Sequence, residues 1–339
     1  MTDPRPGHVA GTVPGADPAR PLRLGTRRSA LATSQSGWVA DRLRAAGREV
    51  ELVLVTTEGD TSRRSLTEIG GTGVFASALR GALLDGRIDL AVHSLKDLPT
   101  APADGLVVAA VPEREDPHDA LVARDGLTLA ELPAGAVVGT GSPRRAAQLV
   151  LLRPDLEVRD IRGNVDSRIR MVRDEVVDAV VLAAAGLARL GRLDEATEVL
   201  DLDGMVPAAG QGALAVECRA DDTALAAELA DTLDHPATRA AVSAERAALS
   251  ALEAGCTAPV GAFAEPGPDV DDHQSDGPRP ATLVLHAFAA LDTGAQRRVR
   301  SGASDAPEEL GRAMAQLLLN RPDPSGLVAA GSHTPESDL

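Results

Sequence analysis

The chain has 339 residues, 50 acidic against 34 basic, for a formal net charge of −16, with 44% hydrophobic and 25% charged residues. That composition is globular, and at roughly 100–200 residues per domain it leaves room for two or three domains. Three Phe, one Trp and no Tyr almost exclude aromatic base-stacking platforms; the acid excess argues against nucleic acid or anionic membranes as partners, and no apolar run approaches the roughly 18 residues of a spanning helix.

Residues 1–21 are rich in Pro, Gly and Ala, with neither a basic start nor an apolar core, and read as a disordered leader and not a signal peptide. Order is expected from Leu22. Short β-branched or aliphatic runs at 51–57, 88–92, 106–111, 136–139, 157–161 and 179–182 read as strands. Amphipathic patterns at 34–46, 73–84, 145–152 and 165–173 read as helices between them. Such alternation implies mostly parallel sheet covered on both faces, with two such units before about residue 206. The last third changes character. Ala-rich helices are expected at 224–233 and 238–253, the second stopped by Gly255, then strands at 260–264 and 283–290 flanking a Pro/Asp/Gly loop at 265–281. A helix near 306–319 closes a small α+β unit, and the composition from 322 onward is that of a tail.

The chemistry concentrates at the strand-to-helix junctions, where open α/β sheets bind ligands and helix N-termini attract anions. These are Leu24-Gly-Thr-Arg-Arg-Ser29, Val92-His-Ser-Leu-Lys-Asp97, Gly139-Thr-Gly-Ser-Pro-Arg-Arg145 and Ile161-Arg-Gly-Asn-Val-Asp-Ser-Arg168, with Arg189 following the strand at 179–182. Each offers a cation, and most a hydroxyl or glycine beside it. Ser142 is a natural N-cap and Pro143 a natural first helical residue, which sets Arg144 and Arg145 in a first turn where the macrodipole disfavours them. That placement points to an anionic ligand carrying several carboxylates or phosphates, both of which Arg grips through paired N–H donors. Lys96 is the single lysine among 34 basic residues; in so Arg-biased a chain it suggests a site too tight for a guanidinium. Asp97 is the one acid inside that junction, able to stay ionised, stabilise a developing cation or accept an N–H bond; an ordinary Lys–Asp surface pair is the plain alternative.

Gly70-Gly-Thr-Gly73 lacks a P-loop ending and reads first as a tight turn; the histidines have no paired spacing with Cys, so no metal site is expected. Two cysteines make no disulfide framework and fit a cytoplasmic chain. Cys218 lies in the apolar run 213–218 and reads as core, whereas Cys256 falls in a turn after a helix, where thiolate chemistry is open to it.

Taken together and in order, these strings with Arg114-Glu-Asp-Pro117, Pro207-Ala-Ala-Gly-Gln-Gly-Ala213 and Leu252-Glu-Ala-Gly-Cys-Thr-Ala-Pro-Val-Gly261 resemble the hydroxymethylbilane synthase, or porphobilinogen deaminase, family from about Leu22 to Leu319. The resemblance implies a transferase of tetrapyrrole and haem biosynthesis that joins four porphobilinogen molecules head to tail with loss of ammonia, then releases the linear product hydrolytically. It implies a dipyrromethane cofactor held by a thioether to Cys256, with Asp97 catalytic. Arg27, Ser29, Lys96, Ser142, Arg144, Arg145, Arg162, Arg168 and Arg189 would bind cofactor and substrate carboxylates, and Phe75 would lie near the growing chain. The implied fold is α/β: two periplasmic-binding-protein-like (type II) doubly wound domains plus a small C-terminal α+β domain. Their expected extents are 22–112 with 213–231, then 113–212, then 232–321. A monomer is implied, its product passed to a downstream tetrapyrrole-cyclising enzyme. Thr72 and Glu68 stand where many family members carry basic residues, which removes charge from a loop that could cover the cleft; Pro143 and the 265–281 loop are smaller departures. The competing class is a pure binding protein on the same two-lobed fold, which would need neither Asp97 nor Cys256.

Overall fold

The computed structural model describes residues 20–56, 73–253, 258–267, 281–291 and 294–320. Cys256, Thr72, Glu68 and most of the leader, the 265–281 loop and the tail lie outside them, as does the side chain of Phe75.

The first sheet is built from β1 (Leu22–Thr26), β2 (Val50–Leu54), β3 (Leu90–Ser94) and β4 (Leu106–Ala110), with α1 (Ala30–Ala45) and α2 (Gly73–Leu84) between them. The second holds β5 (Asp119–Ala123), β6 (Val137–Gly139), β7 (Glu157–Arg159), β8 (Ala179–Ala183) and β9 (Glu198–Leu200), interleaved with α3 (Pro143–Leu152), α4 (Val165–Arg173) and α5 (Ala184–Arg189). Strand β10 (Leu214–Arg219) returns to the first sheet, and α6 (Thr223–Leu233) covers it. Then α7 (Pro236–Ala251), β11 (Val260–Pro266), β12 (Thr282–Leu291), β13 (Gly294–Ala303) and α8 (Pro307–Leu319) form a unit with a three-stranded antiparallel sheet.

The two five-stranded sheets repeat one topology. Their orders are β2-β1-β3-β10-β4 and β7-β6-β8-β5-β9. In each, the strand fed in from the other half, β10 or β5, runs antiparallel between two strands that are otherwise parallel to the rest. This is the two-lobed, type II periplasmic-binding-like α/β fold with a small C-terminal unit that the sequence implied. Because both faces are covered, the inner strands are largely apolar, whereas the edge strands β2, β7 and β9 carry exposed or charged residues. Leu22, Leu24, Leu90 and Val92 pack on Val39, Leu43, Leu225 and Leu229 of α1 and α6, while Ala91 turns to Leu79 and Leu83 of α2. In the second sheet Leu121 and Val181 meet Leu149, and their neighbours Ala120 and Val180 meet Ile169 and Leu187.

Helices α2 and α4 match their expected bounds. The strand β5, the short α5 and the arginine-bearing β13 (Gly294–Ala303) are elements the sequence pattern did not announce. The expected stop of α7 at Gly255 also moves: the helix ends at Ala251, and Glu253 takes a left-handed φ of 51°.

Candidate active site

Parallel pairing of β1 with β3 brings the 26–29 and 94–97 junctions to the same edge of the first sheet. Parallel pairing of β6 with β7 and β8 does the same for the 140–145, 160–168 and 184–189 junctions. Two crossovers, near 111–118 and 206–213, join these edges. Glu115 N donates to Gly212 O at 3.3 Å, and Arg189 Nη2 donates to that same oxygen at 2.6 Å. Gly212 sits at φ +85°, where a Cβ would collide with the Glu115 carbonyl, so no other residue fits the seam. Across it, Ser34 Oγ of α1 donates to Arg189 O at 2.7 Å.

Lys96 and Asp97 occupy a single 3-10 turn, Leu95–Asp97, directly after β3. The Asp97 side chain is exposed. Lys96 Nζ donates to Gln211 Oε1 at 3.2 Å, and Gln211 Nε2 in turn donates to Asp119 Oδ1 at 2.9 Å and to Pro117 O at 2.7 Å. The lysine is held down to about 8, first by burial and then by repulsion from Arg145, with Asp97 and Asp119 pulling the other way.

Asp119, fully buried at the head of β5, is the hub of the second lobe. Arg144 Nη1 donates to its Oδ2 at 2.7 Å and to Val206 O at 2.7 Å. Arg145 donates to Oδ1 from Nε at 3.0 Å and Nη2 at 2.6 Å, and to Val181 O from Nη1 at 3.0 Å. Both arginines are 6% exposed or less. Asp119 therefore supplies part of the counter-charge that these first-turn cations demand, one carboxylate between two guanidinium groups. Burial and the two guanidinium groups act oppositely on Asp119, and the guanidiniums win, holding its carboxyl well below the usual range.

A test of this hub follows. Asp119→Ala strands two buried cations and is expected to cost about 3–5 kcal/mol of stability, read from the denaturant midpoint at neutral pH. Since the native carboxyl is depressed, that stabilisation is present above pH about 4 and is lost as acid protonates Asp119. Equal unfolding midpoints for wild type and variant would contradict the hub.

The remaining sequence candidates fall around this core. Arg168 donates from Nε to Gly163 O at 2.9 Å, and burial plus repulsion from Arg145 and Arg162 lowers its pKa. Arg162 is exposed and pairs with Asp160 at 3.2 Å. Ser142 caps α3 and accepts from Arg145 N, while Ser29 caps α1 and accepts from Ala32 N at 3.2 Å; each hydroxyl keeps its own proton to donate. Arg27, half-buried, follows directly after β1. The structure thus joins Lys96, Arg144, Arg145, Arg162 and Arg168 in one mutually repelling set and puts Arg189 on the seam. Arg27 and Ser29 share a sheet edge with Lys96 and Asp97.

Sequence reasoning missed Asp119 and Gln211, although both lie in quotable strings. His118-Asp119 follows the Arg114 motif, and Gln211 sits inside the glycine turn. Gln35 also went unnoticed; its Nε2 donates to Ser94 Oγ at 2.8 Å, bracing the turn that bears Lys96.

Does this set fit a carboxylate-rich cofactor? Five cations share the acids Asp119, Asp97 and Asp160, and Arg144 Nε is buried without a partner. A polyanion relieves both conditions, so the residues fit. Among the described residues no group of His, Cys, Asp and Glu could hold a metal ion, and no helix is long and apolar enough to cross a membrane.

Comparison with known proteins gives two matching family models. "Porphobilinogen deaminase, dipyromethane cofactor binding domain" covers residues 22–227, and "Porphobilinogen deaminase, C-terminal domain" covers 239–320. The chain is 64% identical over 249 residues to porphobilinogen deaminase 1 of Streptomyces coelicolor, covering 72% of this chain and 78% of that protein. With the porphobilinogen deaminase of Mycobacteroides abscessus it shares 54% over 301 residues, covering 88% and 97%. Among solved structures, a methionine-binding lipoprotein of Bacillus subtilis aligns with a TM-score of 0.38 at 12% identity, covering 61% of this chain and 87% of that one.

Proposed function

The chain belongs to the porphobilinogen deaminase family, and on that footing we propose that it condenses four porphobilinogen molecules head to tail, releases ammonia at each step and frees the linear tetrapyrrole hydroxymethylbilane. The observation that carries this reading to the site is the surplus of cations around Lys96 and Asp119. Each pyrrole of such a substrate bears an acetate and a propionate, so a growing chain of pyrroles needs a cation at every step. An acidic protein supplies them only where its junction arginines converge.

A dipyrromethane held by Cys256 would, when bound, supply the pyrrole carbon that serves as nucleophile. Lys96, Arg27, Arg145, Arg162, Arg168 and Arg189 hold carboxylates, with the Ser29 and Ser142 hydroxyls as donors beside them. Arg144 and Arg145 are anchored by Asp119, so their donors are preorganised and need no reorientation when ligand arrives. When ammonia leaves porphobilinogen, the C–N bond breaks and positive charge spreads over the pyrrole. Asp97 accepts the pyrrole N–H bonds and stabilises that charge where it develops. The new C–C bond then expels a ring proton, which Asp97 can relay. The enzyme works as a cytoplasmic monomer of the transferase class, and its product passes to a cyclising enzyme.

Two results test this reading. Purified chain given porphobilinogen is expected to release four ammonia per linear tetrapyrrole; ammonia-free binding of porphobilinogen would sink it. A second concerns pH. Lys96 titrates near 8, and a carboxylate arriving beside it raises that value. By linkage the affinity for porphobilinogen is flat below pH 8 and weakens above it. KM is therefore expected to climb from about pH 8 upward, and the climb should vanish in Lys96→Gln, whose KM is higher at every pH but whose side chain does not titrate. A KM that stays level through pH 9 in the wild type would contradict this role for Lys96.

A further inference from the structure

The turn that presents Asp97 is gripped from the C-terminal unit by an arginine that belongs to none of the junctions. Arg246, in the middle of α7, donates from Nη2 to Pro99 O at 2.6 Å and from Nη1 to Leu98 O at 3.1 Å and Leu95 O at 3.4 Å. The Leu98 and Pro99 carbonyls lie just beyond the C-terminal end of the 3-10 turn, where a cation is favoured. Leu98 N closes the turn on Leu95 O at 3.1 Å, and Leu95 N donates to Ala213 O at 3.0 Å. The turn is therefore pinned on one flank by the crossover strand and on the other by Arg246. Helix α7 is itself seated: Glu245 accepts from Arg114 Nη1 at 2.6 Å and from Gly210 N at 2.6 Å.

We propose that Arg246 is a positioning residue for Asp97, fixing the Leu95–Pro99 backbone so that the carboxylate stands where charge develops. The role rests on the porphobilinogen reading of the site and deepens it. It also gives the C-terminal unit a part in chemistry separate from carrying the cofactor. Arg246 borders an open cavity of about 420 Å³ with Thr100, Ser243, Ser250 and Arg312. Arg246 is half-buried and Glu308 lines the same cavity, so a free guanidinium ion has a way in toward the turn.

The test compares wild type, Arg246→Ala and Arg246→Lys for kcat, KM and covalent cofactor load by denaturing mass, with and without low, non-denaturing guanidinium. For Arg246→Ala we expect a kcat loss of about a hundredfold, the scale of small misplacements of a reacting group. KM should stay within about twofold and cofactor load should equal wild type. Guanidinium should recover at least about tenfold in kcat, equivalent to ~1.4 kcal/mol, with no gain in wild type, in Asp97→Ala or from sodium chloride at the same ionic strength. A kcat within about twofold of wild type overturns the proposal, as does a loss that guanidinium cannot recover and that KM follows. If the alanine variant fails to fold, Arg246→Lys decides. Reduced kcat at wild-type cofactor load supports positioning, and wild-type kcat overturns it. Absent turnover in wild type would overturn the family reading itself and this role with it, a result distinct from active wild type with unaffected variants.

Discussion

Asp97→Ala is expected to fold, to carry its cofactor and to lose between about a hundredfold and ten-thousandfold in turnover. The fold should survive because the side chain is exposed at the end of a three-residue turn. That turn is held by backbone bonds to Ala213 and by the Arg246 grip, neither of which uses the carboxylate. Turnover should not survive, since Asp97 is the acid beside Lys96 that stands clear of the buried Asp119 hub, and a neutral residue there leaves the developing pyrrole cation without its counter-charge. Asp97→Asn keeps shape and removes charge, so it is expected to lose nearly as much; Asp97→Glu should recover part. Steady-state kcat with cofactor load read by mass checks the series, and an active Asp97→Asn would show that charge is not what the residue contributes.

Cys256→Ser is expected to abolish covalent cofactor and, with it, turnover. A serine hydroxyl at neutral pH is a far weaker nucleophile than a thiol with a small thiolate fraction. The other cysteine provides an internal control drawn from the structure. Cys218 is fully buried in β10 among Leu214, Val216 and Leu229, and burial pushes its thiol up to about 11. Cys218→Ser should therefore keep full cofactor load and lose only the ~1–3 kcal/mol that a hydroxyl in an apolar core costs. Denaturing mass spectrometry of both variants separates the cases, and an adduct retained in Cys256→Ser would reassign the attachment.

How far the fold could be read from residues depends on what each element shows locally. α2 and α4 carry a full helical apolar stripe and were legible to the residue. β5 is five buried residues with no alternation, entering antiparallel from the other lobe, so its partner strands lie 56 or more positions away in β8 and β9. β13 reads Gly-Ala-Gln-Arg-Arg-Val-Arg-Ser-Gly-Ala, poor in strand formers, and is held by its ladder with β12. The site divides the same way. Cations at strand-to-helix junctions are visible because the junction itself is a local signal. Asp119, Gln211 and Arg246 act through contacts 25 to 151 positions away in sequence, so even the strings that hold Asp119 and Gln211 do not show what those side chains touch. The first-turn position of Arg144 and Arg145 was a true electrostatic anomaly; only the three-dimensional fold identifies Asp119 as part of its resolution.

An enzyme that condenses porphobilinogen in this way accumulates pyrrole units covalently on its own chain. The most direct measurement is the intact denatured mass of the purified wild-type protein, before and after a short exposure to porphobilinogen, with an Ehrlich-type colour test for pyrroles. The expected result is a starting mass heavier than the polypeptide by a dipyrromethane, Ehrlich-positive, and then a ladder of species each one pyrrole unit heavier. A mass that equals the bare polypeptide and stays so after porphobilinogen would contradict it and return the chain to the class of binding proteins.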